Sequence, residues 1–384
     1  MLKVLLVNNE FTRKEFLEFP QRLMKSDPNY IRPLDKDIEG VFDSKTNKAL
    51  RHSEFQRVIF QDTNGKTVGK VAVFINPSYK QDIPTGGFGF FDCINDQATA
   101  NFIFDYCKNW LSEKGMQAMD GPINLGERDK FWGLLMEGRS EPLYNMNFNP
   151  DYYGDLFKNY GLEIYFNQLC FGRSIHAEIS PVFTENHKKY INHPTISARP
   201  MHKSQLEKYA KDFTEIYNQA WASHGEGKQL ELGKAIKMFR SMKPIINNHI
   251  SWFVYDNEKP IAFWINIPDV NQWFKFLNGK FGILSKLKFL WLKMFQKNTK
   301  MIGVVFGVIP EWQGKGIDGF MICEGTTHIR KHTHFRDTEL QWIGDFNPKM
   351  IRIAENLDTE VTRKLATFRY LFDRNLKFER HPIL

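Results

Sequence analysis

The chain has 384 residues, 42% of them hydrophobic and 25% charged, a length that exceeds one compact domain and a composition that excludes long disorder. Its formal charge of +8 is local, because residues 270–300 hold seven lysines and no acidic residue. That distribution speaks against a nucleic-acid partner, which usually meets a basic face or arm. Four cysteines, Cys93, Cys107, Cys170 and Cys323, stand far apart without CxxC spacing. This excludes a disulfide framework and argues against a metal site, and it suits a reducing, cytoplasmic setting. The opening MLKVLLVNNE has too short an apolar run for a signal peptide, and no run of eighteen apolar residues exists to span a bilayer. The 34 phenylalanines can build large cores, line an apolar site or touch lipid.

In chain order, apolar runs at 55–60 and 68–75 flank Asn64-Gly65, a hairpin signal. A strand pattern at 87–93, a helix pattern at 99–114 and a short strand at 117–119 follow. Asn149-Pro150 can open a helix, and 162–171 is β-rich. The same order then recurs. Runs at 249–255 and 261–267 form a second hairpin, 301–309 reads as a strand, 316–332 as a helix and 339–343 as a short strand. Asn347-Pro348 can open a helix, and 360–372 is β-rich. The predicted fold class is therefore α/β, a mixed α+β sheet used twice by tandem duplication, with units at 1–175 and 190–384 and a polar join near 173–196.

The second unit carries Val308-Ile-Pro-Glu-Trp-Gln-Gly-Lys-Gly-Ile-Asp-Gly319. A strand, a glycine turn and a helix start offer several backbone N–H groups to one anion, and Lys315 adds a full charge. A pyrophosphate suits such a cradle, although Gln-Gly-Lys-Gly alone is as often a plain turn. It is neither a Walker loop nor a Rossmann fingerprint. Gln313, Gly314, Lys315, Gly316 and Ile317, preceded by Val308 and Pro310, resemble the [Q/R]-x-x-G-x-[G/A] hallmark of the GNAT acyltransferase superfamily, with Asp318 departing at the last place. Asp120-Gly-Pro-Ile-Asn124, Gly133-Leu-Leu, Met146-Asn-Phe-Asn-Pro-Asp-Tyr-Tyr153 and Trp342-Ile-Gly-Asp-Phe-Asn347 are similar to stretches of the long YghO-like GNAT proteins, relatives of the bacterial ceramide synthases.

The resemblance implies two tandem GNAT-like acyl-CoA N-acyltransferase domains. It implies that Gln313, Gly314, Lys315, Gly316, Ile317 and Asp318 hold the CoA pyrophosphate, and that the strand edge at Phe306, Gly307 and Val308 pairs with pantetheine. Acetyl-CoA or a longer acyl-CoA would be the co-substrate, with no metal. The first unit lacks the loop and is expected to bind no CoA. The position of the usual GNAT tyrosine acid falls on Ala354. Asp345 and Asn347 become the catalytic candidates, with Tyr370 a distant one. Asn347 equally reads as a helix cap and Tyr370 as a packed strand residue. Glu324 and His328, four apart, read as an acid–base pair or a helix ion pair. His224 lies in the loop that would help form the acceptor site, or is simply a polar loop residue.

Within the insert, 279–300 reads as an amphipathic helix. Leu284, Leu287, Trp291, Met294 and Phe295 fall on one side, and Lys286, Lys293, Lys297 and Lys300 on the other. It is either a core helix with a solvated lysine face or an interfacial helix beside the acceptor entrance, with Trp291 against lipid. The expected partners are an acyl-CoA, an amine acceptor open between a long-chain lipid amine and a small amine, and an anionic membrane touched peripherally at its inner face. A non-catalytic binding protein on the same scaffold is the rival that Asp318 and Ala354 support.

Overall fold

The computed structural model describes residues 2–221 and 229–384. The first half runs β1 (Lys3–Leu6), α1 (Glu10–Leu23), α2 (Asp35–Val41), β2 (Glu54–Gln61), β3 (Thr67–Ile75), β4 (Thr85–Cys93), α3 (Gln97–Ser112), β5 (Ala118–Gly121), β6 (Leu134–Glu137), α4 (Tyr153–Tyr160) and β7 (Glu163–Ser174). A connecting helix, α5 (Pro181–Tyr190), leads to the second half. That half runs β8 (Ile196–Pro200), α6 (Leu206–Trp221), α7 (Leu232–Met242), β9 (Trp252–Asp256), β10 (Lys259–Pro268), α8 (Asn271–Phe274), α9 (Ile283–Phe295), β11 (Lys300–Val308), α10 (Ile317–His332), β12 (Asp337–Leu340), β13 (Ile343–Gly344), α11 (Pro348–Asn356) and β14 (Glu360–Leu371).

All the strands join one sheet, ordered β1-β2-β3-β4-β5-β14-β7-β12-β11-β10-β9-β8, with β6 on β14 and β13 on β7. The order is symmetric about its centre, apart from one exchange. β14, from the second half, pairs with β5 of the first, and β7, from the first half, pairs with β12 of the second. The two long strands also pair with each other, from Glu360 opposite Gly172 to Arg369 opposite Glu163. Each lobe is thus closed by the other half's last strand.

Buried charge fixes this exchange. Arg369 on β14 donates to both oxygens of Asp120 on β5, at 2.7 Å each, and the Tyr79 hydroxyl donates to the same carboxylate at 2.6 Å. Six residues earlier on the same strand, Arg363 of β14 donates to Glu339 of β12 at 2.7 Å. Gly133, at φ 84°, lies where a side chain would strike Gln168 of β7. The Asp-Gly-Pro and Gly-Leu-Leu stretches therefore serve the seam between the lobes.

The phenylalanine excess fills cores. In the first lobe Phe91, Phe104 and Phe157 stack edge and face at 4.9–5.1 Å. In the second lobe, α6 lies on one face of the sheet, with Phe213 on Phe263 at 4.7 Å. α10 lies on the other, its Gly325 against Trp264.

The insert folds as α8 and α9, and the helix begins at Ile283 rather than 279 because Asn278 and Gly279 turn left-handed before it. One side packs Phe289 and Leu292 against Trp273, Phe274 and Leu34 of the first lobe. Lys280–Asp35 and Lys275–Glu141 tie it there. The other side leaves Leu284 82%, Trp291 58%, Met294 76% and Phe295 66% exposed. The core-helix reading is thus corrected, because the apolar stripe faces outward. The insert leads into the N-terminal end of β11, whereas the glycine turn follows its C-terminal end. It stands a strand's length from that turn.

Candidate active site

β11 and β12 run parallel from Lys300 opposite Asp337 to Gly303 opposite Leu340, where their pairing stops. On the other side of β11 the register with β10 slips by one, leaving Val304 without a partner. Such a bulge bends a strand and adds twist, and here it turns β11 away from β12. The divergence opens a cavity of about 230 Å³ between β11, β12, α10 and α11, with Phe306, Ile322, Leu340 and Ala354 among its walls. Phe306 and Gly307 lie on the unpaired stretch, as does Val308, whose carbonyl accepts from the Gln313 amide at 3.0 Å.

Beyond Val308 a short turn at Pro310–Trp312 leads into Gly314 (φ 71°) and Gly316 (φ 88°), and α10 begins at Ile317. Two left-handed residues so close demand glycine and aim the following N–H groups outward at a helix N-terminus. Lys315 lies over Trp312, and its carbonyl accepts from the Tyr190 hydroxyl at 2.8 Å. Asp318 sits in the first turn of α10. Burial, reinforced by that carboxylate, raises the Tyr190 hydroxyl above its ordinary pKa.

The connection between the lobes runs alongside. Arg330 donates to the carbonyls of Ile175 and Ala177, and Arg173 to those of Glu178 and Leu357. α5 then follows α10, with Phe183 on Ile322 and Cys323, and His187 at 2.6 Å from Glu324. From the middle of α5, Asn186 stands where a side chain on Gly316 would go, 2.4 Å from the ideal Cβ. Neither sequence reading of Glu324 and His328 holds. Glu324 meets His187, while His328 meets His249 at 2.9 Å and packs on His332. The partner of Glu324 comes from a connection that the sequence showed only as polar and His-rich.

Asp345 follows β13, and its Oδ2 accepts from Asn167 at 2.7 Å and from Arg380 at 2.6 Å. Asn347 caps α11 through its side-chain oxygen, at 3.2 Å from the Met350 amide. Tyr370 lies in the first lobe, its ring on Tyr160 at 4.9 Å and beneath Arg374. The structure thus brings together Phe306, Gly307, Val308 and the 313–318 turn, leaves Asp345 and Asn347 after β13 and outside the cavity lining, and sets Tyr370 and Trp291 apart. His224 lies outside the described residues. Among the described residues no three His, Cys, Asp or Glu are grouped to hold a metal ion, and no helix is long and apolar enough to cross a membrane.

The first lobe has the same divergence, filled. β4 pairs with β5 only from Thr85 to Gly87, and a one-residue slip against β3 bulges β4 near Phe90 (φ 50°). The chain after β5 turns back into the gap, where the Ile123 amide donates to the Phe88 carbonyl at 2.8 Å. The Ile123 carbonyl would stand 1.9 Å from a Cβ on Gly89.

No family model matches the chain. It is 24% identical over 365 residues to the bacterial ceramide synthase of Caulobacter vibrioides, covering 93% of this chain and 94% of that protein. It is 22% identical over 369 residues to protein YghO of Escherichia coli, covering 94% and 93%. Among solved structures, a tandem GNAT protein from the clavulanic acid biosynthesis pathway superposes with a TM-score of 0.54 at 10% identity, covering 97% of this chain and 99% of that one. With its doubled strand order and its bulged, diverging central strands, the chain is a tandem GNAT-fold protein, similar over nearly its whole length to a bacterial ceramide synthase and to YghO.

Proposed function

We propose that the protein is an acyl-CoA-dependent N-acyltransferase that moves an acyl group from a CoA thioester to a primary amine, using the second lobe alone. One observation carries this reading: among the described residues the gap between β11 and β12 holds a cavity where that between β4 and β5 is taken by the Ile123 turn, and it adjoins the left-handed glycine turn at the start of α10. The turn at 313–318 would hold the pyrophosphate by backbone N–H groups, with Lys315 adding charge. The unpaired edge at 306–308 would hold the pantetheine arm, and a strand N–H there would polarise the thioester carbonyl as negative charge develops. The neutral amine attacks that carbon, the C–S bond breaks, and the proton lost by nitrogen finally resides on the thiol.

Asp345 and Asn347 follow β13, next along the chain from the cavity-lining Ile343. Asn347 holds the helix start. The Asp345 carboxylate, shared with Asn167 and Arg380, would orient the amine or take its proton through water. Its Oδ2 is already engaged by two donors, so positioning is its larger share. The acceptor favoured is a long-chain amine such as a sphingoid base. Support comes from the outward apolar stripe of α9, from the lysines around it and from the name of the Caulobacter relative. Trp291 and Phe295 would enter the headgroup region of an anionic inner leaflet, which draws each nearby lysine with about 1 kcal/mol.

The direct test combines purified protein, an acyl-CoA series and candidate amines, reading free thiol and amide. Acylation of a sphingoid base, with turnover lowered ~10²-fold or more by Asp345→Ala at unchanged CoA affinity, is the expected result. Transfer only to small amines from acetyl-CoA would replace the lipid acceptor, and CoA binding without transfer to any amine would favour a binding protein. Vesicle sedimentation tests the membrane contact. Binding should require anionic lipid, weaken with salt and fall when Trp291 and Phe295 become Ser.

A further inference from the structure

The cavity at the divergence is deeper than a pantetheine groove needs. From Phe306 and Ile322 it continues along the α10 face of the sheet to Trp264, Met301, Ile329 and Ile175. Met301 and Ile329 are 1% and 0% exposed and pack with Ile175, Ile250 and Phe335, so the far end is closed by core. The 175–190 connection lies across its outer side, pinned by Arg330, Arg173 and the His187–Glu324 contact. On the inner side, Ala354 of α11 is 1% exposed and its methyl leaves open a space that a larger side chain would fill.

We propose that this closed apolar extension holds the acyl chain of the CoA thioester and limits its length, an inference that rests on the reading of the second lobe as the acyl-CoA site. Its position selects the donor's chain over the acceptor's. Trp264 pairs with Phe306 on the face of the sheet that α10 covers, so the extension continues from the strand edge beside the glycine turn. The exposed stripe of α9 lies elsewhere, beyond the start of β11. Ala354 of α11 and Thr326 of α10, both lining the cavity, are the length-determining positions. The place where many GNAT proteins put a tyrosine acid serves here as room for a chain.

The experiment is calorimetry of the full chain with CoA, acetyl-, octanoyl-, lauroyl- and palmitoyl-CoA. Affinity should rise with chain length, by up to about fourfold per methylene buried, and then level off once the extension is full. Ala354→Phe should move the plateau to shorter chains and weaken lauroyl- or palmitoyl-CoA at least tenfold, while CoA and acetyl-CoA stay within twofold. Thr326→Phe, on α10, should do the same and serves if the first variant folds poorly. Chain-length-independent affinity in the wild type would overturn the assignment, as would equal weakening of acetyl- and palmitoyl-CoA in both variants. So would competition by a long-chain amine against palmitoyl-CoA but not against acetyl-CoA, which would give the extension to the acceptor. If the wild type binds no CoA thioester, the acyl-CoA reading itself fails and this inference falls with it.

Discussion

The two lobes start from one plan and differ at two places. In both, the central strand carries a bulge and parts from its parallel neighbour. In the first lobe the Ile123 backbone occupies the gap against Gly89, while in the second a cavity remains, lined from Trp264 to Ala354. The second difference is the connection ahead of the bulged strand. In the first lobe residues 76–84 suffice, whereas in the second 269–299 form α8 and α9 and present an apolar face to solvent. A diverging pair of strands is thus a scaffold feature, and whether it becomes a ligand site depends on what the following turn does with the gap.

The largest effect is expected where the halves are cross-joined. Asp120 is fully buried, and Asp120→Asn would leave Arg369 buried without a counter-charge, a loss of about 3–5 kcal/mol. Because β14 and β7 carry the exchange, chemical denaturation should stay a single transition that moves as one. Two separated transitions would show that the lobes are energetically independent. Next comes a matched pair at the two divergences. Gly89→Ala should cost about 3 kcal/mol by pushing out the Ile123 turn. Gly303→Ala meets only the end of the Leu340 side chain, at 2.5 Å and beside the cavity, and should cost less than about 1 kcal/mol. Equal costs would mean that the second gap is as tightly filled as the first.

A second buried aspartate sharpens the contrast. Asp269, near the end of β10, lacks a direct counter-ion among the described contacts, and burial pushes it up to about 6. Between its ordinary pKa and about 6, its native form therefore holds a proton that the unfolded chain has already released. The stability it contributes is complete below its ordinary pKa near 4 and is lost as pH rises through about 6. Asp269→Asn should remove a fall of roughly 2–3 kcal/mol between pH 4 and 7, read from urea midpoints. Unchanged pH dependence would remove Asp269 as its source. The smallest effect belongs to α9. Trp291→Ser with Phe295→Ser should change stability by less than about 0.5 kcal/mol, because both face outward, whereas Phe289→Ser on the inner side should cost about 3 kcal/mol.

Much of this was legible in the sequence where local physics leaves one answer. Gly314 and Gly316 are needed for left-handed turns, Asn347 before Pro348 caps a helix, and the apolar spacing of α9 places its stripe. The repeated element order gave the doubled fold. The exchange of β7 and β14 was not legible, since two equivalent strands fit either edge and carry the same apolar alternation. α5 was hidden within a polar join, and with it the true partner of Glu324. Tyr370 illustrates a related limit, because its position in the chain says second half while the exchange sets it in the first lobe. Ala354 carried its signal as a missing hydroxyl, and only the packing of α11 showed that its small size leaves room in the cavity.

If one lobe of the two binds CoA, calorimetric titration of the full chain with CoA should show a single site. One equivalent per chain is the expected stoichiometry. Gly316→Asp should abolish binding, because a β-carbon there meets Asn186 of α5 at 2.4 Å and strains the left-handed φ of 88° that aims the N–H groups outward, and the first-lobe variant Gly89→Ala, where folded, should leave the stoichiometry at one. Two equivalents per chain, or wild-type affinity in Gly316→Asp, would contradict a single CoA site in the second lobe.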